Sequence, residues 1–210
     1  LTPDDIVLEV GPGPGMLTER LAAAARHVLA VEIDRDMVAL LHAELDGLRN
    51  LTLVRADILE SDPGALVAGA VNSARAQPYK VVANLPYYIT SAALRHVLEW
   101  VPAPQVLVVM VQEEVARRIV AAPGDLSLLA LMVQLAGAAE IVARVPPGAF
   151  VPPPKVHSAI LRVTPHAQPL LPREQKETLF RLARAAFRQK RKILSNSLSA
   201  AVPLPRAKLA

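Results

Sequence analysis

Short runs of apolar residues alternate along the chain with stretches in which apolar and polar residues recur at helical spacing. The short runs are continuous and rich in β-branched residues, which is typical of strands buried on both faces of a parallel sheet. Five such strands are predicted first, at Ile6–Val10, Val28–Glu32, Leu51–Arg55, Lys80–Ala83 and Val106–Val111. Helices are predicted between them, at Met16–Ala25, Asp36–Leu48, Gly64–Ala70 and Ser91–Trp100. This order predicts an α/β fold, with a parallel, doubly wound, Rossmann-like sheet and helices on both faces.

The second half of the chain departs from this alternation. Two successive helices are predicted at Glu113–Val120 and Leu126–Ala136, then two strands at Ile141–Val145 and Ser158–Val163. Prolines at positions 146, 147, 152, 153 and 154 exclude a helix between those strands. A last helix is predicted over Arg173–Ser199. We therefore expect two units, residues 1–164 and a small helical domain over residues 165–210, and we expect the sequence to be part of a longer protein.

The composition narrows the class of protein. Hydrophobic residues make up 52% of the chain, so it is expected to fold, and with only seven aromatic residues its core must be aliphatic. There is no cysteine, which excludes a disulfide framework and a thiolate metal site and fits a reducing compartment such as the cytoplasm. The five histidines have no ligand spacing, so no metal is predicted, and no apolar run is long enough for a membrane span.

Charge is distributed unevenly along the chain. The net charge is +4, but the residues from Arg173 onward carry ten basic and two acidic side chains, or +8. The remainder carries 13 basic and 17 acidic residues, or −4. Within the last predicted helix, basic side chains lie beside an apolar face at positions Arg181, Arg184, Arg188, Arg191 and Lys192. A basic segment on an acidic body indicates an anionic macromolecular partner, and these side chains are candidate RNA-binding residues.

A glycine-rich loop follows the first predicted strand. It reads Glu9-Val10-Gly11-Pro12-Gly13-Pro14-Gly15. Its third glycine comes one position too early for the dinucleotide-binding pattern, and an acidic residue precedes it. The spacing E-x-G-x-G-x-G resembles the first motif of class I methyltransferases, whose cofactor S-adenosylmethionine carries an ammonium and a sulfonium but no phosphate. Taken alone, the loop does not exclude a nicotinamide-dependent enzyme.

Acidic residues end the next two predicted strands. Glu32 is placed to accept hydrogen bonds from ribose hydroxyls, and Asp57 from the adenine amine of the cofactor. Ile33 and Ile58, which follow them, are also candidate cofactor-binding residues. Asp34 and Asp36 are interpreted as helix-capping or turn residues.

The stretch Asn84-Leu85-Pro86-Tyr87-Tyr88 follows the fourth predicted strand. It resembles the motif of methyltransferases that modify amino groups on bases. Such an amine is a poor nucleophile, because its lone pair is delocalised into the ring. The Asn84 side-chain oxygen and the Leu85 carbonyl are placed to accept its two hydrogens, while Pro86 stiffens the turn and Tyr87 stacks on the base. Asn84 is also counted among the cofactor-binding residues.

The variant Asn-Leu-Pro-Tyr is similar to that of the KsgA family of rRNA adenine dimethyltransferases and its Erm relatives. Further segments resemble the family, at residues 111–118, 150–158 and 187–192. The resemblance implies that Phe150 helps to enclose the target base, that residues 1–164 form the catalytic domain and that residues 165–210 belong to an incomplete RNA-binding domain. It also implies dimethylation of two neighbouring adenosines near the 3′ end of small-subunit rRNA, by a monomeric enzyme with no membrane partner. An N-terminal arm and a Tyr-Gly pair before Leu126, both usual in the family, are absent from the sequence.

Three other functions compete with this interpretation. An Erm-type enzyme would methylate large-subunit rRNA instead. A non-catalytic RNA-binding or ribosome-assembly factor would keep the fold without the reaction, although the presence of Glu9, Glu32, Asp57, Asn84 and Tyr87 argues against it. A nicotinamide dehydrogenase is the third alternative, and a cofactor-binding assay distinguishes it.

Overall fold

Seven strands form one sheet in the computed structural model, which describes residues 1–187. The strands are β1 (Ile6–Val10), β2 (His27–Glu32), β3 (Leu51–Arg55), β4 (Lys80–Asn84), β5 (Val106–Gln112), β6 (Gly137–Val145) and β7 (Ser158–Pro165). The helices are α1 (Met16–Ala24), α2 (Arg35–Glu44), α3 (Pro63–Ala70), α4 (Thr90–Glu99), α5 (Glu113–Ile119), α6 (Leu128–Ala136) and α7 (Arg173–Phe187). Short 3-10 turns span Ile58–Glu60 and Pro147–Ala149.

Helices cover both faces of the sheet, as the sequence predicts. All five residues of β1 are buried, and alternate side chains point to opposite faces. Val7 belongs to a cluster with Leu21 of α1. Leu8, on the other face, belongs to a larger cluster that includes Leu94 of α4 and Val133 of α6. The continuous apolar runs are therefore explained by burial on both sides.

The sheet is mixed: the first five strands pair in parallel, as predicted, and the two late strands add antiparallel pairs. Its order is β3-β2-β1-β4-β5-β7-β6, and β1 to β5 pair in parallel. β7 pairs antiparallel with both of its neighbours, so β6 runs in the same direction as β5. The connection from β6 to β7 carries the five prolines and forms no crossover helix, so it returns along the same edge and the strands pair antiparallel.

The strand order changes direction at β1. The chain first moves outward from β1 to β2 and β3, then returns to place β4 and β5 on the other side. The carboxyl ends of β1 and β4 therefore flank the switch point of the sheet. In open α/β sheets this is where ligands bind.

Several predicted boundaries are corrected. β6 begins at Gly137 instead of Ile141, directly after α6 ends at Ala136, because the backbone turns from helical to extended within one residue. α2 ends at Glu44, several residues before the predicted Leu48.

The last predicted helix is seen only in part. α7 is described from Arg173 to Phe187, and the predicted continuation, residues 188–199, lies outside the described residues. Ala183 is buried and Phe180 packs against the main core cluster, so the apolar side of α7 faces the sheet domain. The division at residue 165 stays a prediction. Among residues 1–187, no helix combines the length and the apolar character that crossing a bilayer requires.

Candidate active site

The glycine loop leaves β1 in a conformation that side chains disfavour. Gly11, Gly13 and Gly15 have φ values of 68°, 55° and 87°, all in the left-handed region. Gly15 is also tightly packed, since a Cβ atom there would lie 2.8 Å from Cδ2 of Leu41. By contrast, a Cβ on Gly11 or Gly13 would meet no described atom within 4 Å. The loop is thus held against α2 at one end and leaves open space above its first two glycines.

A buried carboxylate lies beneath this loop. Glu9 is 1% exposed, and neither of its carboxylate oxygens has a hydrogen-bond partner among the described residues. The buried hydroxyl of Thr18 in α1, which lies close to the Glu9 carboxylate, is likewise unpaired among the described residues. Burial raises the pKa of Glu9 to about 7, and the Thr18 hydroxyl opposes part of that shift. An open glycine cradle above an unsatisfied acid fits a cofactor that carries positive charge and no phosphate.

Acidic side chains follow β2 and β3, and both already have structural roles. Glu32 Oε1 accepts hydrogen bonds from the backbone N–H groups of Ile33 at 2.9 Å and Asp34 at 3.0 Å. Asp57 Oδ1 accepts one from Leu59 N–H at 2.8 Å and so caps a 3-10 turn. Their contacts with a cofactor stay predictions. Both lie at the expected edge of the sheet, because the parallel strands that precede them end there.

Two other predicted cofactor-binding residues at this edge, Ile33 and Ile58, differ in exposure. Ile33 is 61% exposed, whereas Ile58 is 5% exposed and belongs to the main core cluster. Asp34 is the N-cap of α2, accepting from Asp36 N–H and Met37 N–H, which confirms its capping interpretation.

The Asn-Leu-Pro-Tyr motif turns sharply from β4 into α4. Asn84 is the last residue of β4 and is exposed, while Leu85 is buried in the main core cluster. The Pro86 carbonyl accepts a hydrogen bond from Ile89 N–H at 3.2 Å, which closes the turn. The Tyr87 hydroxyl lies 2.7 Å from Oγ of Ser158, the buried first residue of β7. The turn is therefore anchored at Leu85 and at Tyr87, and Asn84 is left facing solvent.

The pairing of β1 with β4 brings the loop and the motif together. Val10 is the register partner of Ala83, so Gly11 and Asn84 leave neighbouring strands side by side. Neighbouring strands lie roughly 4.8 Å apart. Phe150 is half-buried in the loop joining β6 to β7, which lies at the same edge of the sheet.

The predicted RNA-binding residues lie on α7 or beyond it. Arg181 and Arg184 are exposed on α7. Arg188, Arg191 and Lys192 lie outside the described residues.

Comparison with known proteins identifies the family. The model of the ribosomal RNA adenine dimethylase family matches residues 1–209. The chain belongs to this family. It is 45% identical over 199 residues to the ribosomal RNA small subunit methyltransferase A of Dehalococcoides mccartyi, which covers 95% of this chain and 66% of that relative. The chain thus spans 66% of that relative's length.

Solved structures agree with this assignment. The 23S rRNA methyltransferase ErmE is 34% identical, with a TM-score of 0.75 over 97% of this chain and 78% of the other. A dimethyladenosine transferase from Plasmodium falciparum is 28% identical, with a TM-score of 0.76 over 94% of this chain and 68% of the other. The resemblance to the KsgA family and its Erm relatives, and the class I methyltransferase fold, are confirmed.

Two residues of this candidate site were not anticipated from the sequence. Thr18 is a buried polar residue of α1, and only the packing of α1 places its hydroxyl near the Glu9 carboxylate. Ser158 belongs to the proline-rich segment that resembles the family. No pattern in the sequence links it to Tyr87, which is 71 positions away.

Proposed function

We propose that the chain transfers methyl groups from S-adenosylmethionine to the N6 amine of adenosines in small-subunit rRNA, dimethylating two adjacent adenosines. The observation that carries the proposal is the position of Asn84 on the strand next to the glycine loop. A cofactor-binding loop and a base-amine motif at neighbouring strand ends suit a direct transfer between two bound molecules. The family and the name of the Dehalococcoides relative support rRNA as the substrate.

The residues around the loop fit the cofactor. Gly11 and Gly13 leave room for a ligand to approach the backbone, and Glu9 supplies negative potential beneath it. Glu32 and Asp57 would hold the ribose and the adenine of the cofactor. When bound, S-adenosylmethionine supplies an electrophilic methyl carbon, to which the adenine nitrogen bonds as the carbon–sulfur bond breaks, leaving S-adenosylhomocysteine.

Asn84 would orient the acceptor amine. Its side-chain oxygen and the Leu85 carbonyl accept the two amine hydrogens, so that the nitrogen lone pair points toward the cofactor side of the site. Such positioning contributes to rate because it replaces a random encounter with an aligned one. The nitrogen loses one hydrogen as a proton after transfer, and the remaining hydrogen allows a second methyl to be added to the same amine.

Two aromatic residues would hold the base. The Tyr87 hydroxyl is fixed by Ser158, which limits movement of the ring and leaves its face for stacking. Phe150 would close over the base from the proline-rich loop. Base stacking on an aromatic side chain contributes on the order of 1–3 kcal/mol. The target adenosine must leave its own stack to reach this site, as in other enzymes that modify bases.

A second candidate is an Erm-type enzyme that methylates large-subunit rRNA. The 34% identity and the TM-score of 0.75 to ErmE favour it. The relative named as a small-subunit enzyme is more similar, at 45% identity, and this favours the small-subunit target. In either case the enzyme would act in the cytoplasm, where ribosomes are assembled, and as a monomer.

Methyl transfer from labelled S-adenosylmethionine to separated ribosomal subunits tests the proposal. Small and large subunits lacking adenine dimethylation are offered in parallel, and modified nucleotides are identified by mass spectrometry. We expect dimethyladenosine at two adjacent positions of small-subunit rRNA. Label in the large subunit would instead support the Erm-type function. Subunit binding without transfer would support a non-catalytic assembly factor.

A further inference from the structure

A cluster of three charged side chains joins α5 to β6 on the surface. Glu113 Oε1 accepts hydrogen bonds from Nη2 of Arg117 at 2.8 Å and from Nε at 3.1 Å. The same oxygen lies 3.2 Å from Nε of Arg144. The hydrogen bond from Arg117, and the positive charge of both arginines, hold the pKa of Glu113 below its ordinary value. One ionised carboxylate therefore holds two guanidinium groups side by side.

The cluster lies at the same edge of the sheet as the candidate active site. Arg144 is the penultimate residue of β6, which runs in the direction of β5, so its end lies with the ends of β4 and β5. Glu113 N–H donates to the carbonyl of His157, the residue before the Ser158 that contacts Tyr87. Three strand spacings separate β4 from β6, or about 14 Å. That distance is a few nucleotide steps at the ~3.4 Å rise of a stacked strand.

The two guanidinium groups are available to a ligand. The side chain of Arg117 is 61% exposed and that of Arg144 is 65% exposed, whereas that of Glu113 is 17% exposed. Two positive groups share one negative group, so the cluster keeps a net charge of +1. A guanidinium has five N–H donors, and those not directed at Glu113 remain free. A planar fork of donors matches the oxygens of a phosphate.

We infer that Arg117 and Arg144 form a binding site for a phosphodiester group of the RNA backbone, a few nucleotides from the adenosine held at Asn84. This inference rests on the proposed function, because it takes the bound polymer to be the RNA substrate. The site is separate from the basic segment that begins at Arg173, so the RNA contacts the protein on the catalytic domain as well. Glu113 positions the two arginines and makes no contact with the phosphate.

A purely structural ion pair between α5 and β6 is the competing explanation. The two explanations predict opposite effects for Glu113→Gln. If the cluster only joins the two elements, removing the carboxylate harms the protein as much as removing the arginines. If the arginines bind phosphate, Glu113→Gln leaves both donors in place, keeps a side-chain oxygen that can accept their hydrogen bonds, and increases the local positive charge. RNA binding is then at least as strong as in the wild-type protein.

The test compares wild-type protein, the double variant Arg117→Gln/Arg144→Gln, Glu113→Gln and a matched control. The control is Arg162→Gln, which removes an exposed arginine of β7 that is paired with Glu140 of the neighbouring strand β6. Those residues lie toward the other end of β6 and β7, away from the candidate active site. Binding to small ribosomal subunits lacking adenine dimethylation is measured between about 50 and 200 mM salt. Cofactor affinity and the urea midpoint of unfolding are measured in parallel.

We expect the double variant to bind RNA roughly tenfold more weakly, with a salt slope shallower by about 0.7–0.9, because one phosphate is no longer neutralised. Cofactor affinity stays unchanged, and Arg162→Gln behaves as wild type. An unchanged salt slope in the double variant overturns the inference, and so does a Glu113→Gln variant that binds RNA as weakly as the double variant. The proposed function is judged separately, by methyl transfer from the wild-type protein. A wild-type chain that binds subunits without methylating them contradicts the function and leaves the binding comparison intact.

Discussion

At the scale of single residues, Glu9 is the most unusual group in the described structure. Its carboxylate is buried and lacks a hydrogen-bond partner, and burial raises its pKa to about 7. An ionised carboxylate without a partner in such surroundings lowers stability. The protein retains it directly beneath the glycine loop. A destabilising carboxylate at a binding site indicates that the carboxylate has a role in ligand binding, which it performs only when the ligand is present.

Replacing Glu9 with glutamine tests this interpretation through stability. The ordinary pKa of 4.5 is raised to about 7 in the folded state, so the folded protein holds the proton more tightly than the unfolded chain. The free energy of unfolding therefore falls as pH rises from about 4.5 to 7. We expect Glu9→Gln to raise the free energy of unfolding by roughly 1–3 kcal/mol at about pH 8 and to leave it nearly unchanged near pH 4. Urea unfolding at both pH values measures the difference, with Glu19→Gln, at an exposed position of α1, as the control.

The same variant is expected to weaken S-adenosylmethionine binding. In the wild-type protein, affinity should rise between about pH 6 and 7.5 as Glu9 ionises, since the cofactor's sulfonium is always positive and its amino group stays mostly protonated in that range. Calorimetry on Glu9→Gln should show weaker binding that changes little with pH. Equal affinities and equal pH profiles in the two proteins would mean that Glu9 has no part in cofactor binding.

Asn84 carries a second prediction at this scale. Asn84→Ala should abolish methyl transfer while cofactor affinity stays nearly constant, because the asparagine side chain holds the acceptor amine and not the donor. The decrease should appear in the chemical step, where this hydrogen bond orients the transition state. Single-turnover methyl transfer and calorimetry measure the two effects. Asn72→Gly, at an exposed turn residue with φ 52°, is the control for removal of an asparagine elsewhere. Substantial turnover by Asn84→Ala would make Asn84 an ordinary turn residue.

At the scale of elements, the reversed strand β7 organises one side of the site. It lies between β5 and β6 and runs against both. Its first residue, Ser158, therefore lies at the carboxyl edge of the sheet and contacts Tyr87. The same reversal brings the loop that carries Phe150 to that edge. A parallel β7 would begin at the opposite edge and leave the Asn-Leu-Pro-Tyr turn without this support.

The contact between Gly137, at the junction of α6 and β6, and the end of β7 gives a prediction about the pairing of β6 with β7. Gly137 is packed so closely against the end of β7 that a Cβ atom would lie 2.5 Å from the carbonyl oxygen of Thr164. We expect Gly137→Ala to lower the free energy of unfolding by about 1–3 kcal/mol, because backbone atoms must move to admit the methyl group. The matched control is Gly69→Ala in α3, where nothing lies within 4 Å and alanine favours the helix. Denaturant unfolding should separate the two variants. Equal stabilities would show that the backbone of β6 and β7 shifts at this point, at little cost in free energy, to admit the methyl group.

At the scale of the whole molecule, the protein's acidic and basic residues are unevenly distributed along the chain. The residues before Arg173 carry a net charge of −4, which is compatible with a cationic cofactor, and those from Arg173 onward carry +8. α7 joins the two parts, with Ala183 buried toward the sheet domain and Arg181 and Arg184 exposed. This distribution favours binding of an RNA by the segment that begins at Arg173.

Replacing Arg184, Arg188 and Arg191 together with glutamine tests the role of the basic segment. We expect weaker binding to small ribosomal subunits and a shallower salt slope, by about 0.7–0.9 for each phosphate that the variant no longer neutralises. Cofactor affinity should not change, because the glycine loop that would hold the cofactor lies between β1 and α1, away from α7. Arg173→Gln, at the start of α7, is the matched control and should have little effect, since that arginine is paired with Glu177 on the same helix. If the salt slope of the triple variant matches the wild type, the basic segment has a structural role instead.

Local chemistry is what the sequence by itself determined about this protein. The five strands β1 to β5, the helices on both faces of the sheet and the turn after each strand follow from periodicity, glycine and proline, which act within a few residues. The glycine loop and the Asn-Leu-Pro-Tyr motif are contiguous, so the resemblance to the family could be recognised without coordinates. Asp34 as a helix cap was equally predictable, because a cap acts on the residues that follow it.

Only the tertiary structure decided which distant residues meet. The direction of β7 depends on the path of the proline-rich connection that precedes it, and spacing along the chain does not fix that path. The pairing of Tyr87 with Ser158 and of Glu113 with Arg144 joins elements that are far apart in the chain. The raised pKa of Glu9 is a property of its burial, since the same residue type is ordinary when exposed. Spacing along the chain predicts local geometry, whereas contacts, burial and pKa values arise only when the elements pack.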